Sequence, residues 1–244
     1  VEGADKALGS ARFTLSNRLP AYNLMPDGDF SIRDFLKDGQ TGNIFITWRE
    51  DQTTALRPLI SAWCDIICNT ILSLPPSRTR KIWLSLDELS TLDVLSSLSD
   101  ALEKGRKHGL RVIAGLQTVS QLVEIYGKNK ALILMANLRN LIVLGGSKTD
   151  SETSEAMSKS LGEHEVVREQ ISKNTSMGLG NSSKNVSETV VREPVVMASE
   201  ISSLPDLTGY LSFASDHPIT RIKLKIADYP VINQPYKERV IFND

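Results

Sequence analysis

Lys81-Ile82-Trp83-Leu84-Ser85-Leu86-Asp87-Glu88 is a largely apolar run that ends abruptly in two adjacent carboxylates. Such a run predicts a strand buried on both faces, as in a parallel sheet covered by helices. The carboxylates then stand at the strand's C-terminal edge, where open α/β sheets place their ligands. Two readings fit the pair. As a Walker B arrangement, Asp87 holds Mg²⁺ through water and Glu88 orients or deprotonates the attacking water. As a structural feature, it is a buried strand followed by a helix whose first turn favours acidic residues. The eight residues alone leave the two balanced.

The flanks make the strand part of a repeating pattern. Upstream, Gly42 opens a predicted strand over 43–48. Leu56, Ile60, Trp63, Ile67, Ile71 and Leu74 then follow helical spacing until Pro75-Pro76 stops it. Strand, helix, strand is a crossover unit and favours a parallel sheet. Downstream, Leu92, Leu95, Leu98 and Leu102 line a helix that runs out at Gly109, and a strand is expected over 111–116, closing at Gln117. Helices over 120–126 and 130–138 lead to a strand over 140–144, then Gly145-Gly146 and a helix over 151–161. Earlier in the chain, residues 7–24 read as a helix that Pro20 kinks or ends, and Ser31 with Asp34 caps a short one.

Past Glu163 the texture changes. Residues 172–190 are rich in Ser, Asn, Lys and Gly with few apolar anchors, which predicts an exposed loop. A short helix over 199–203 precedes a β-hairpin of 209–214 and 219–226, turned by Ser215-Asp216-His217-Pro218. The tail from Asp228 shows no periodicity.

Bulk properties narrow the classes. The 244 residues are 41% hydrophobic, enough for a real core in one large or two small domains. A formal net charge of -1 gives no global sign of nucleic-acid binding, so DNA contacts need a local patch or a pore shared between subunits. Cys64 and Cys68 lack metal-ligand partners, because His108, His164 and His217 are scattered; they read as reduced core cysteines of a cytosolic domain. No segment reads as a signal peptide or membrane span: residues 56–74 carry Arg57, Asp65 and Asn69. The chain does not open on methionine, and residues 1–25 read as the end of something, so the sequence reads as a soluble fragment.

Three features stand in series: Asp87-Glu88, the basic Gly105-Arg106-Lys107-His108-Gly109 at a helix end, and Gln117 after the next strand. A glutamine at a strand tip can sense a γ-phosphate or the attacking water, and an arginine can complete a neighbour's site. Each also has an ordinary reading, as a loop cap or as charge complementing a helix dipole. Taken together with WLSLDELSTL (83–92), ALEKGRKHGLRVIAGLQTVSQLVEIYG (101–127), LGGSKTD (144–150), SLGEHEV (160–166) and SLPDLTGYLSFA (203–214), they resemble the conjugative coupling proteins of the TraD/TrwB kind. The resemblance runs from about Phe30 to Lys225.

That resemblance implies an α/β, RecA-like P-loop NTPase fold: a parallel sheet covered by helices, with a C-terminal β-hairpin. It implies an ATP- and Mg²⁺-dependent motor that forms a homohexamer at the cytoplasmic face of the bacterial inner membrane, anchored by a segment outside this chain. Its implied partners are DNA, held without sequence preference in the assembled ring, the relaxase and its relaxosome, and components of a type IV secretion channel. Residue by residue, the family's Walker B acids match Asp87 (metal) and Glu88 (catalytic), its trans-acting arginine matches Arg106, and its third-motif glutamine matches Gln117, with nucleotide contacts at Asp87, Glu88 and Gln117. The implied division is 1–29 as the end of an all-α domain, 30–227 as the Walker B half of the motor and 228–244 as a tail.

One departure matters. The family's Walker A loop should precede all of this, and no Gly-Lys-Ser/Thr turn of the right spacing occurs. Gly145-Gly146-Ser147-Lys148-Thr149 has too few residues between its first glycine and its lysine, and it follows the Walker B strand. The acid, sensor and finger are therefore expected without a phosphate cradle. Another RecA-like hexameric motor, or a non-catalytic docking module, are the competing readings.

Overall fold

The computed structural model describes residues 2–18, 22, 25, 28–39, 41–174 and 183–232. Helix α1 (Glu2–Arg18) opens the chain. Helix α2 (Ile32–Lys37) follows, and Ser31 caps it by accepting the Asp34 N–H, as its sequence predicts. Helix α3 (Thr53–Ser73) is the spine of the core, because Ile60, Cys64, Ile67, Cys68 and Ile71 fall on one stripe and are buried. It ends where Leu74 turns extended ahead of Pro75-Pro76.

By length and composition, the 24 residues Glu50–Ser73 are apolar enough to cross a membrane, contrary to the sequence expectation. In this fold the apolar stripe faces protein. Asp65 meanwhile accepts hydrogen bonds from Ser96 and Ser97, which suits a core helix.

Strands β1 (Ile82–Leu86) and β2 (Leu110–Ala114) pair in parallel, with Ile82 opposite Leu110 and Leu86 opposite Ala114. Between them lie a 3-10 turn at Leu89–Thr91, helix α4 (Leu98–Lys104) and a second 3-10 turn, Gly105–His108. The expected helix from Leu92 thus begins later. Leu92 and Leu95 are buried, but Asp65 takes the Ser96 and Ser97 N–H groups and fixes the helix start beyond them. Helices α5 (Val119–Tyr126) and α6 (Lys128–Asn137) cover the same side of the pair.

Among the described residues only that side is covered. Ile82, Leu84, Leu86, Leu110, Val112 and Ala114 alternate inward onto the core. On the opposite face Trp83 is 62% exposed and Ile113 55%. The expectation of a strand buried on both faces is therefore corrected: β1 has the composition for it, and among the described residues no second helix layer meets it. The segment 43–48 differs too. It alternates, with Phe45 outward and Ile46 and Trp48 against the core, yet it has no ladder partner among the described residues. Alternation sets which face is buried; a strand also needs a neighbour's edge.

Among the described residues the parallel set stops at two strands. Strand β3 (Leu141–Leu144) pairs antiparallel with β6 (Thr208–Ser212), which pairs with β7 (Thr220–Lys223), and this sheet has its own small core of Val143, Leu161, Val196, Ile201 and Tyr210. Gly209 makes the pairing possible, since a Cβ there would sit 2.2 Å from the Val143 carbonyl. Helix α7 (Ser151–Leu161) matches its predicted span. The expected loop at 172–190 is instead mostly a long antiparallel hairpin, β4 (Glu163–Asn174) with β5 (Ser183–Pro194). Its strands take their order from the ladder rather than from a buried face, which a search for apolar anchors misses. The turn at 175–182 and the tail at 233–244 lie outside the described residues. Helix α8 (Ala198–Ile201) links β5 to β6.

Candidate functional site

The C-terminal tips of β1 and β2 are knitted together by backbone. Gly115 N–H donates to the Leu86 carbonyl at 2.8 Å and its own carbonyl accepts from Leu89 N–H at 3.0 Å. A Cβ on Gly115 would lie 1.9 Å from the Asp87 carbonyl oxygen, so only glycine permits this approach. The acids follow at once. Asp87 is exposed; Glu88 is half-buried between it and Leu89, which is 1% exposed and anchors the turn. Glu88 Oε1 accepts from Ser90 Oγ at 3.1 Å, and its backbone carbonyl accepts from Thr91 Oγ1 at 2.8 Å. The peptide is thereby held while the Asp87 carboxylate faces solvent.

Gln117 lies two residues past Gly115 at this same edge, with its side chain exposed. The structure therefore brings Asp87, Glu88 and Gln117 to one edge, as their order after successive parallel strands predicts. It does not bring Arg106 there. Arg106 sits in the 3-10 turn before β2, at the opposite edge, and the five residues of β2 put about 16 Å of strand between the two.

The Arg106 turn is tightly built. Gly105 lies under Leu110, where a Cβ would approach its Cδ2 to 2.7 Å. Gly109 has φ +95° and packs on the Arg80 carbonyl, a position that favours glycine twice over. His108 is buried and its Nδ1 lies 2.6 Å from the Leu74 carbonyl. Ser77 N–H donates to the Lys107 carbonyl at 2.9 Å, and Arg80 Nη1 donates to Pro75 O at 2.9 Å and His108 O at 3.4 Å. Arg106 and Lys107 remain exposed on this clamp. Lys104, the last residue of α4, pairs with Asp100 at 2.5 Å, and that hydrogen bond and charge raise its pKa.

A metal here has limited protein support. No group of three or more His, Cys, Asp or Glu side chains converges among the described residues. One exposed carboxylate at a strand tip suits Mg²⁺, which keeps several waters and takes its other oxygens from phosphates. It does not suit a structural metal with a full set of protein ligands. Cys64 and Cys68 are free and buried; burial first, and the nearby Asp65 charge with it, pushes Cys64 up to about 11. Burial likewise takes Cys68 to about 12, so both are core thiols. The LGGSKTD loop follows β3 and leads into α7 with Asp150 as its cap, and Gly145 lies against the Leu204 carbonyl rather than opening a cradle.

Sequence reasoning missed two contacts that fix the Gln117 loop. Val119 N–H donates to Thr153 Oγ1 at 3.0 Å, and Ser120 Oγ donates to Glu152 Oε2 at 3.2 Å. The partners are more than thirty residues away, and the available signal was only Asp150-x-x-Thr153, a helix start.

Known proteins resemble this chain over most of its length. The chain is 30% identical over 251 residues to the coupling protein TraD of Escherichia coli (strain K12), an alignment covering 98% of this chain and 34% of that protein. It is 27% identical over 182 residues to the conjugal transfer protein TraG of Agrobacterium fabrum, covering 75% of this chain and 27% of that one. The solved plasmid coupling protein TrwB in complex with ADP and Mg²⁺ superimposes with a TM-score of 0.84 at 52% identity, covering 96% of this chain and 52% of that chain. The chain thus spans about half of the solved TrwB chain and about a third of TraD. These likenesses make the α/β fold RecA-like in kind. A family profile described as the type IV secretion-system coupling protein DNA-binding domain matches residues 1–225, nearly the whole chain, and the chain belongs to that family.

Proposed function

We propose that this chain is the Walker B half of an ATP-driven, DNA-translocating coupling protein. That protein would connect the relaxosome to a type IV secretion channel as a homohexamer at the cytoplasmic face of the inner membrane, anchored through a segment outside this chain. The observation that carries the reading is the division between edges: Asp87, Glu88 and Gln117 share the C-terminal edge of the parallel pair, and Arg106 stands at the other. Within that division, residues 30–227 form the motor half, 1–29 the end of an all-α domain and 228–244 a tail.

Each residue then has a task its position allows. Asp87, exposed, would hold Mg²⁺ through water, and the ion supplies positive charge to the phosphate oxygens. Glu88, its backbone fixed and Oε1 on Ser90, would take the proton of the attacking water. Gln117, exposed beside them, would contact that water or the γ-phosphate. Arg106 is too far to serve its own acids and is presented outward on a rigid turn, which fits a finger for a neighbour's nucleotide. The open apolar face of Trp83 and Ile113 is the natural seat for the remainder of the motor domain.

The isolated chain is expected to hydrolyse ATP negligibly, because nothing in its sequence cradles the β- and γ-phosphates. Steady turnover by the purified chain, abolished by Glu88→Gln, would overturn the reading. DNA binding should belong to the assembled ring, tolerate sequence and fall steeply with salt, as phosphate contacts do; tight, salt-insensitive, sequence-specific binding by the chain alone would contradict it.

A further inference from the structure

Gln117 has no strand or helix of its own to orient it; the peptides after it do that. Thr118 is extended (φ -137°, ψ 149°) and caps α5, its Oγ1 accepting from Gln121 N–H at 3.2 Å. Val119 is the first residue of α5, and its N–H is one of the donors a helix start leaves without an intrahelical partner. Thr153 Oγ1 takes that N–H at 3.0 Å from across the fold. Thr153 is fixed in turn, its own N–H donating to Asp150 Oδ1 at 3.0 Å within the cap of α7. The neighbouring contact, Ser120 Oγ to Glu152 Oε2, lies on the exposed side of the same joint.

We infer that Thr153 is a positioning residue for Gln117. By holding the Val119 N–H it sets the plane of the Thr118–Val119 peptide, hence ψ of Thr118, and so the direction in which the chain presents Gln117 at the edge it shares with the acids. The inference rests on the role given to Gln117 above. The contact also ties the Gln117 loop to the helix that carries the long hairpin. At the base of α7, Ser158 Oγ donates to the Val196 carbonyl at 2.6 Å and Val195 N–H donates to the Gly162 carbonyl at 3.0 Å. The Gln117 loop and the hairpin base are thus joined through one eleven-residue helix.

The test uses Thr153→Val, which keeps the shape and removes the acceptor, and Thr153→Ser, which keeps the acceptor. In the full-length coupling protein carrying this sequence, Thr153→Val is expected to lower kcat for ATP by about tenfold, the weight of one part-buried hydrogen bond, with KM unchanged. Thr153→Ser restores it. Combined with Gln117→Ala, Thr153→Val should add little further loss, because both act on one group. In the isolated chain, exchange of the Val119 amide should quicken about tenfold in Thr153→Val and stay near wild type in Thr153→Ser.

Wild-type kcat in Thr153→Val, failure of Thr153→Ser to restore it, or full additivity with Gln117→Ala overturns the inference and leaves Thr153 a helix cap. If Gln117→Ala itself turns over normally, the role proposed for Gln117 falls, and this inference falls with it. If Gln117→Ala is slow and Thr153→Val is not, only this inference falls. The exchange measurement decides the hydrogen bond even if the full-length variant does not fold.

Discussion

The two edges of the β1–β2 pair are built by opposite means. At the C-terminal edge the backbone is tied directly across the strands, through Gly115 to Leu86 and Leu89, and Asp87 and Gln117 stand exposed on it. At the N-terminal edge the strand itself does little. Buried His108, Gly109 on the Arg80 carbonyl and the Ser77 contact make a clamp from outside the sheet, and Arg106 stands exposed on that. Acid and base are each held on a rigid backbone, at ends of the strand pair too far apart to meet within one chain. The proposed ring of subunits would resolve the separation, because one subunit's N-terminal edge could face the next subunit's C-terminal edge.

The sharpest way to break this contrast is a mixture. In the full-length protein, Arg106→Ala is expected to lower turnover by ~10³ or more, as for arginine fingers elsewhere, while leaving the melting temperature nearly unchanged, since the side chain is exposed. Glu88→Gln should let ATP bind but slow hydrolysis by ~10²–10⁴, because the amide can accept a hydrogen bond but cannot take the proton. Mixing the two inactive proteins creates interfaces with an intact Glu88 and an intact Arg106 from different subunits. Partial recovery of ATPase activity supports the division of labour; no recovery in verified mixed rings reduces Arg106 to a surface charge worth ~0.3–1 kcal/mol at a helix end. Asp87→Ala separates the acids from each other: it should weaken Mg²⁺-dependent nucleotide binding, measured by titration with and without the metal.

A smaller effect sharpens the C-terminal edge. Gly115→Ala places a Cβ against the Asp87 carbonyl, backbone against backbone, and should cost about 3 kcal/mol in the isolated chain by denaturant unfolding. Gly146→Ala is the control. Its nearest neighbour is the Ser154 hydroxyl at 3.7 Å, so the change should stay within about 0.5 kcal/mol. Equal losses at the two sites would show that the close approach at Gly115 is not what holds the edge.

What the sequence disclosed follows from the range of each interaction. Periodicity is local, so α3 and the 151–161 helix were legible, and so was the placing of Asp87-Glu88 after an apolar strand. Pairing is not local. Residues 43–48 alternate correctly and form no ladder among the described residues, while much of 172–190 lacks apolar anchors and forms one. The same limit hid the site's supports. His108 on the Leu74 carbonyl spans 34 positions, as does Val119 on Thr153, and nothing in either neighbourhood marks the contact. Trp83 shows the remaining failure: its run has the composition of a strand covered twice, yet Trp83 is exposed, because composition does not supply a second layer.

The smallest expected effect lies in the connection between the two edges. The path from Glu88 to Arg106 passes through Ser96 and Ser97, and α3 holds it there by Asp65. Oδ1 of Asp65 accepts from Ser97 N–H at 3.0 Å and Ser97 Oγ at 2.5 Å, and Oδ2 from Ser96 Oγ at 3.0 Å. Burial pushes this carboxyl's pKa up, but the hydrogen bonds from Ser97 and Ser96 together outweigh it, so the pKa falls below its ordinary value. A lowered folded-state value means that the unfolded chain takes up the proton first as pH drops. The carboxylate's contribution is therefore complete well above the unfolded value of about 3.9 and drains away as pH falls through the folded value. Hydrogen bonds to a charged group are worth about 1.5–3 kcal/mol when shielded, but Asp65 is only half-buried and solvent screening cuts this to about 1 kcal/mol. Asp65→Asn should accordingly lower the urea midpoint at pH 7 and lower it much less at pH 3. A loss of the same size at both pH values would show that Asp65 holds the connection by shape, without its charge.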